Sequence, residues 1–223
     1  QIAIGSGDIY SKPFAHCFHG YSSYFKGFLD EAKENLLKAT DLFERIDYFF
    51  LMSLTQRGLG DTYFDMGKYQ KSQDAYKMAV SLSRRDRNLP SLRNLCKISL
   101  AKIKVMNKEM DFDLESLYGY VNENNVKPIE SCMIRRIGWI ILHIDDNHIN
   151  DAEEWIKKAI EADKRNGMMW YLGRDYTFYA ELFERKGDQS KAKANLKKAI
   201  EIYQECGADA WVEKLEKELT IRF

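Results

Sequence analysis

The sequence predicts an all-α fold of repeated helical hairpins, and three observations carry that expectation. Gly27, Gly67, Asn107, Asn147 and Gly187 recur at intervals of 40 residues. Five residues after each stands Ala32, Ser72, Phe112, Ala152 or Ala192, mostly small, as the close approach of two helices requires. No useful period-2 alternation appears, and the three prolines, Pro13, Pro90 and Pro128, stand at or just before proposed helix starts, where a missing N–H is harmless.

Each element follows from this register. Gly or Asn suits the turn that leaves a helix, because both tolerate positive φ. Four and seven positions after the small residue come Leu36 and Ala39, Tyr76 and Ala79, Ile156 and Ala159, and Leu196 and Ala199, one face of a helix. In the third period the pattern improves when slid to Leu114, Tyr118 and Val121. First helices are expected near 12–26, 51–66, 91–106, 130–146 and 169–186, and second helices near 29–46, 69–84, 112–124, 150–164 and 189–205. Asn150 with Glu153 fits a capping box, and Asp188 fits an N-cap. After Gly207 a last helix puts Trp211, Leu215 and Leu219 on one stripe against Lys214, Glu216 and Lys217, as a capping element would. Repeats over 1–207 and a capping helix over 208–223 are the expected organisation.

Composition narrows the function classes. Of 223 residues 45% are apolar, enough for a core, and 34 basic residues balance 34 acidic ones, so no overall charge recruits nucleic acid or an anionic membrane. No apolar run reaches the roughly 18–20 residues that span a bilayer. The opening QIAIGSGDIYSK, without an initiator Met, reads as a segment of a longer protein. Cys17, Cys96, Cys132 and Cys206 lie far apart, which suits reduced thiols and a cytoplasmic setting.

Gln56, Leu59, Gly60 and Tyr63, then Ser72 and Tyr76, resemble the tetratricopeptide repeat signature. The Gly-to-Ala interval of 19 recurs from Gly20 to Ala39 and from Gly60 to Ala79. The period of 40 exceeds that family's 34, so longer second helices or connections are implied. Junctions reading GD or KGD, and the ending KAKANLKKAIEIYQECGADAWVEKLEKEL, resemble the long repeats of maltose-regulator-like signalling ATPases and ATPase-linked nucleotide cyclases. The resemblance implies a right-handed α-α superhelix of about five hairpins plus a cap, with catalysis outside the repeats and a concave face that binds protein segments.

No phosphate loop, dinucleotide fingerprint, zinc-protease or nucleophile-elbow motif is present, so no enzyme and no cofactor are expected. His16, Cys17 and His19 carry metal-ligand chemistry, but Cys17 points away from the histidine face and no second pair completes a site. His143 and His148 flank a polar turn. Tyr76, Trp155 and Tyr179 read as core; Tyr21 and Tyr24 are candidates for the inner face.

Charge gives the sharpest local signal. Between 81 and 110 eight basic residues meet two acidic ones, and Arg93, Lys97, Lys104 and Lys108 fall within roughly 60° of one helix face, with Lys102 opposite. Arg57 and Arg174 extend this candidate surface, with Asp61 beside Arg57 and, like Asp65, able to neutralise part of it. The chaperone-tail carboxylate clamp is not reproduced, because Cys17 and Tyr21, or Arg57 and Asp61, stand where it needs Lys and Asn. The expected function is a non-catalytic interaction module binding an acidic segment or another domain of the same polypeptide. A small-molecule-sensing domain is the alternative, and nucleic-acid binding along 84–108 is less favoured.

Overall fold

Positive backbone φ marks the joints of the chain at Gly27, Gly67 and Gly187, and again at Asp47, Gly167 and Gly207. The first set lies within hairpins and the second between them, so each half-period of 20 residues is one helix and its turn. At all six the residue after the joint donates its N–H to the carbonyl five residues back, from Phe28 to Ser23 through Ala208 to Tyr203, at 2.8–3.0 Å. This closure satisfies carbonyls that a helix end leaves open, and it requires the left-handed conformation. Asp47 supplies it with φ 53°, which aspartate tolerates better than most residues.

The computed structural model describes residues 8, 10–85 and 90–223. The opening segment through Gly7, and Asp86 and Arg87 of the basic stretch, lie outside them. The described residues form no strand and eleven α-helices: α1 (Ser11–Lys26), α2 (Leu29–Glu44), α3 (Phe49–Asp65), α4 (Tyr69–Arg85), α5 (Pro90–Met106), α6 (Leu114–Asn122), α7 (Lys127–Ile144), α8 (Ile149–Asn166), α9 (Met169–Arg185), α10 (Gln189–Glu205) and α11 (Asp209–Arg222). The all-α expectation of consecutive hairpins holds. Outside the third hairpin second helices are as long as first ones, so there the extra residues of the long period lengthen the helix, not the connection. The chain divides into two compact units, Gln1–Met106 and Asn107–Phe223.

Unit 1 shows how the register makes a core. Ala32 and Ser72 are wholly buried, as are Leu36 and Ala39, and Tyr76 and Ala79. Gly20 and Gly60 admit these partners: a Cβ on Gly20 would stand 2.7 Å from Leu36 Cγ, and one on Gly60 2.6 Å from Tyr76 Cε1. Phe14, Phe43 and Tyr48 pack edge to face, with centroids 5.3–5.9 Å apart, a geometry that aromatic quadrupoles favour.

Unit 2 repeats the scheme in α8 and α10, where Ala152, Ile156, Ala159, Ala192, Leu196 and Ala199 are buried. Asp188 caps α10 by accepting from Lys191 N–H at 3.0 Å. The capping box does not form. His148 is the N-cap of α8, and Asn150, two residues further in, accepts instead from Lys186 Nζ at 2.9 Å. In α11 Trp211 and Leu215 are buried while Lys214, Glu216 and Lys217 are exposed, as the stripe predicts.

The middle of the chain departs from the register. Positive φ falls on Lys108, not Asn107, and α6 spans only nine residues, capped by Asp113, which accepts from Glu115 and Ser116 N–H groups. Phe112 precedes the helix, and Leu117 is its buried residue. Tyr118 stacks on Trp155 with centroids 5.2 Å apart. Asn147 does not become left-handed either. The Asp145 carboxylate accepts its N–H at 2.8 Å, and that side-chain turn replaces the backbone one.

Candidate functional site

Three of the sequence-predicted site residues, Tyr21, Arg57 and Asp61, meet in one network of unit 1 with Tyr76. Arg57 donates to Asp61 at 2.9 Å and to the Tyr21 hydroxyl at 3.1 Å, and Tyr21 in turn donates to the Leu54 carbonyl at 2.6 Å. Tyr76 donates to the other Asp61 oxygen. The guanidinium also lies over the Tyr21 ring, 5.4 Å from its centroid. Tyr24 donates separately to Asp65 at 2.9 Å. Arg57 and Asp61 side chains are each 11% exposed, so this network ties α1, α3 and α4 together. Burial raises the Tyr21 phenol far above its ordinary range although Arg57 opposes the shift, which keeps it a neutral donor.

The basic stretch is less uniform than its spacing implies. Arg93, Lys97 and Lys104 are half-buried on α5, whereas Lys108 lies past its last residue, exposed and left-handed, and so is not on the helix face. Lys102 is buried, with Nζ 3.6 Å from the Phe64 centroid, a cation–π contact between α5 and α3.

Packing absorbs Cys17, His16 and His143, whereas His19 and His148 are exposed. Cys17 is buried, and burial pushes its thiol up to about 11. His16 meets Asn35 at 2.9 Å. His143 Nδ1 faces the Trp139 carbonyl at 2.8 Å and Nε2 faces Glu181 at 2.9 Å. Among the described residues no three His, Cys, Asp or Glu side chains could hold a metal ion.

Arg174 occupies a different setting, in unit 2. It lines a cavity of about 120 Å³ with Thr177, Phe178, Tyr203, Trp211 and Lys214, among others. Its guanidinium carbon is 5.7 Å from the Phe178 centroid and 5.1 Å from that of Trp211, and Lys214 Nζ is 5.3 Å from the Trp211 ring. Glu218, also in the wall, is engaged by Arg222 at 3.3 Å. Two cations, one carboxylate and an aromatic floor line this socket.

Sequence reasoning reaches Arg174 but misses Phe178, Trp211 and Lys214. A signal was there: Lys214 follows Arg174 by one 40-residue period, so α11 takes the register of a first helix as well as ending the stack. A second, open cavity of about 570 Å³ is lined by Glu153, Tyr179, Lys186, Asp188 and Lys191, with Phe183 and Asn195. Its charges pair among themselves. Glu153 receives Lys157 at 2.6 Å, Lys186, and Tyr179 at 3.2 Å, and Lys191 meets Asp188 at 2.9 Å.

With this geometry in place, comparison with known proteins identifies the repeat. Residues 58–86 and 176–206 match the tetratricopeptide repeat model, and each segment spans the end of a first helix and the whole of the second. Over these two segments the chain matches tetratricopeptide repeats. Among solved structures it is similar to the nearly identical TPR-like repeats of a Podosopora anserina protein named as a kinesin light chain. A point variant of that protein aligns with TM-score 0.50 and 13% identity over 86% of this chain and 94% of the other. The form without that substitution aligns with TM-score 0.49 and 13% identity over 86% and 95%. At that identity the likeness concerns the fold alone. No curated protein matches the sequence.

Proposed function

We propose that the chain is a non-catalytic binding module whose second unit receives an acidic side chain of a partner protein segment, held by Arg174 and Lys214 over Trp211. Tetratricopeptide repeats are protein-interaction modules, and the observation that carries the finer reading is the socket itself. About 120 Å³ suits one side chain, whereas small-molecule sites run to about 300–1,000 Å³. The resemblance to repeats appended to signalling ATPases supports a partner that is another domain of the same polypeptide. Occupancy would then stabilise one arrangement of an attached effector.

The test uses a fluorescent peptide alternating Glu with Leu and the same peptide with Gln at each Glu. Binding of the first only is expected, weakened roughly 10- to 100-fold by Arg174→Ala with Lys214→Ala, the scale of lost hydrogen bonds to a charged group. Equal binding of both peptides, or no response to the double variant, overturns the reading. Lys97→Glu with Lys104→Glu reports separately on the basic stretch of α5; unchanged affinity removes it from the account.

The volume of the open cavity favours a second reading, small-molecule sensing. Its internally paired charges count against it. A melting-temperature rise with a sugar or nucleotide, absent with the acidic peptide, would establish it instead.

A further inference from the structure

Arg135 of α7 stands between two carboxylates in the interior of unit 2. Its Nη2 donates to Asp163 of α8 at 2.5 Å and its Nε donates to Asp175 of α9. The arginine side chain is 7% exposed and both aspartates 0%. Cys132 Sγ lies 3.8 Å from Arg135 Nη1, and the guanidinium rests 4.8 Å from the Tyr171 centroid. The remaining oxygens, Asp163 Oδ1 and Asp175 Oδ2, are buried with no hydrogen-bond donor.

The charges do not balance. One guanidinium balances the charge of one carboxylate, and a second buried carboxylate with no countercharge of its own is costly. Among the described residues the charged groups acting most on Asp175 are Arg135 and Asp163, and Arg135 meets in addition the Cys132 thiol and the Tyr171 ring. The exposed Arg165–Glu130 pair of α8 and α7, at 3.1 Å, is balanced within itself.

We propose that Asp163 and Asp175 hold one proton between their free oxygens, so that the Arg135 centre is a buried proton-binding site and unit 2 loosens when that proton leaves. Burial acts in the same direction, raising the Asp175 carboxyl well above its ordinary range, and the Asp163 charge adds to that rise against the pull of Arg135. The folded chain therefore holds a proton that the unfolded chain has released above an ordinary aspartate pKa of 3.8. The sign follows. The contribution to stability is greatest at acidic pH and falls as pH rises through the folded pKa, with the unfolding constant growing up to tenfold per pH unit.

Asp175→Asn tests this, because an amide can donate to Asp163 as the shared proton does and leaves Arg135 with one carboxylate. Urea unfolding of the full chain is measured from pH 5 to 9. The ratio of native to variant unfolding constants is expected to rise with pH, approaching tenfold per unit. A ratio independent of pH overturns the proposal. Should the variant not fold, infrared spectra of the native chain decide: a protonated-carboxyl band at neutral pH supports the shared proton, and its absence refutes it.

Discussion

Thr55, Ser83 and Leu95 of unit 1 and Arg135, Asp163 and Asp175 of unit 2 occupy the same places of the 40-residue register, two periods apart. All six are buried. In unit 1 the polar groups are satisfied close to home. Thr55 donates to the Met52 carbonyl of its own helix at 3.0 Å and Ser83 to Val80 at 2.8 Å, while Leu95 needs no partner. In unit 2 the charged groups pair across helices, Arg135 with Asp163 and with Asp175, so α7, α8 and α9 must all be in place at once. The backbone scheme accepts either filling. What differs is how many elements must agree before the layer is stable, since a charge left alone in the interior costs far more than a hydroxyl.

The sharpest way to break this contrast is Arg135→Met. It strands the buried negative charge of the Asp163–Asp175 pair, and the expected loss is about 3–5 kcal/mol in urea unfolding of the whole chain. Replacing the layer together, Arg135→Met with Asp163→Ser and Asp175→Leu, copies the chemistry of unit 1 and nearly conserves volume. That triple variant is expected to recover most of the loss, within about 1 kcal/mol of the native chain or above it. A triple variant as unstable as the single one would mean that the charged layer is not interchangeable with the apolar one.

A smaller effect compares the helix contacts of the two units. A Cβ on Gly60 would meet the Tyr76 ring at 2.6 Å, whereas on Gly138 the nearest atom is Ile156 Cγ1 at 3.1 Å. Gly60→Ala is expected to cost about 1–3 kcal/mol by overpacking. In Gly138→Ala the better helix propensity of alanine, up to about 1 kcal/mol, offsets a milder clash. Thermal unfolding of the two variants checks the order; Gly138→Ala less stable than Gly60→Ala would reverse it.

The fold was legible wherever the backbone itself demands a residue type. A left-handed joint asks for Gly27, Gly67 or Gly187, and close helices ask for Ala32, Ser72, Ala152 or Ala192, so composition at these places reports geometry directly. Where a side chain can do the same task the sequence misleads, as at Asn147, replaced by the Asp145 turn, and Asn150, drawn off by Lys186. The socket was half legible. Arg174 shows as a basic residue on a first helix, but α11 looks like a cap until its register against α9 is noticed. The Arg135 layer was not legible, because Asp163 and Asp175 become its neighbours only when three helices stack.

Glu153 gives the mildest and most direct contrast with Asp175, both being carboxylates of unit 2. Burial works to raise Glu153, but the hydrogen bonds and charges of Lys157 and Lys186 outweigh it and bring its carboxyl from 4.5 to about 2. Its contribution is therefore present above pH 4.5 and fades as pH falls toward 2. For Asp175 the folded state holds the extra proton, and stability is lost in the other direction, as pH rises. Glu153→Gln should lower stability by about 1 kcal/mol or less at pH 7, because the ion pairs are partly solvated. The difference from the native chain should shrink on acidification, while that between native and Asp175→Asn shifts in favour of the native chain. Urea midpoints of the three chains at pH 3, 5 and 7 read both slopes. Parallel slopes for the two variants would mean that salt-bridged and proton-sharing carboxylates are not distinct in this unit.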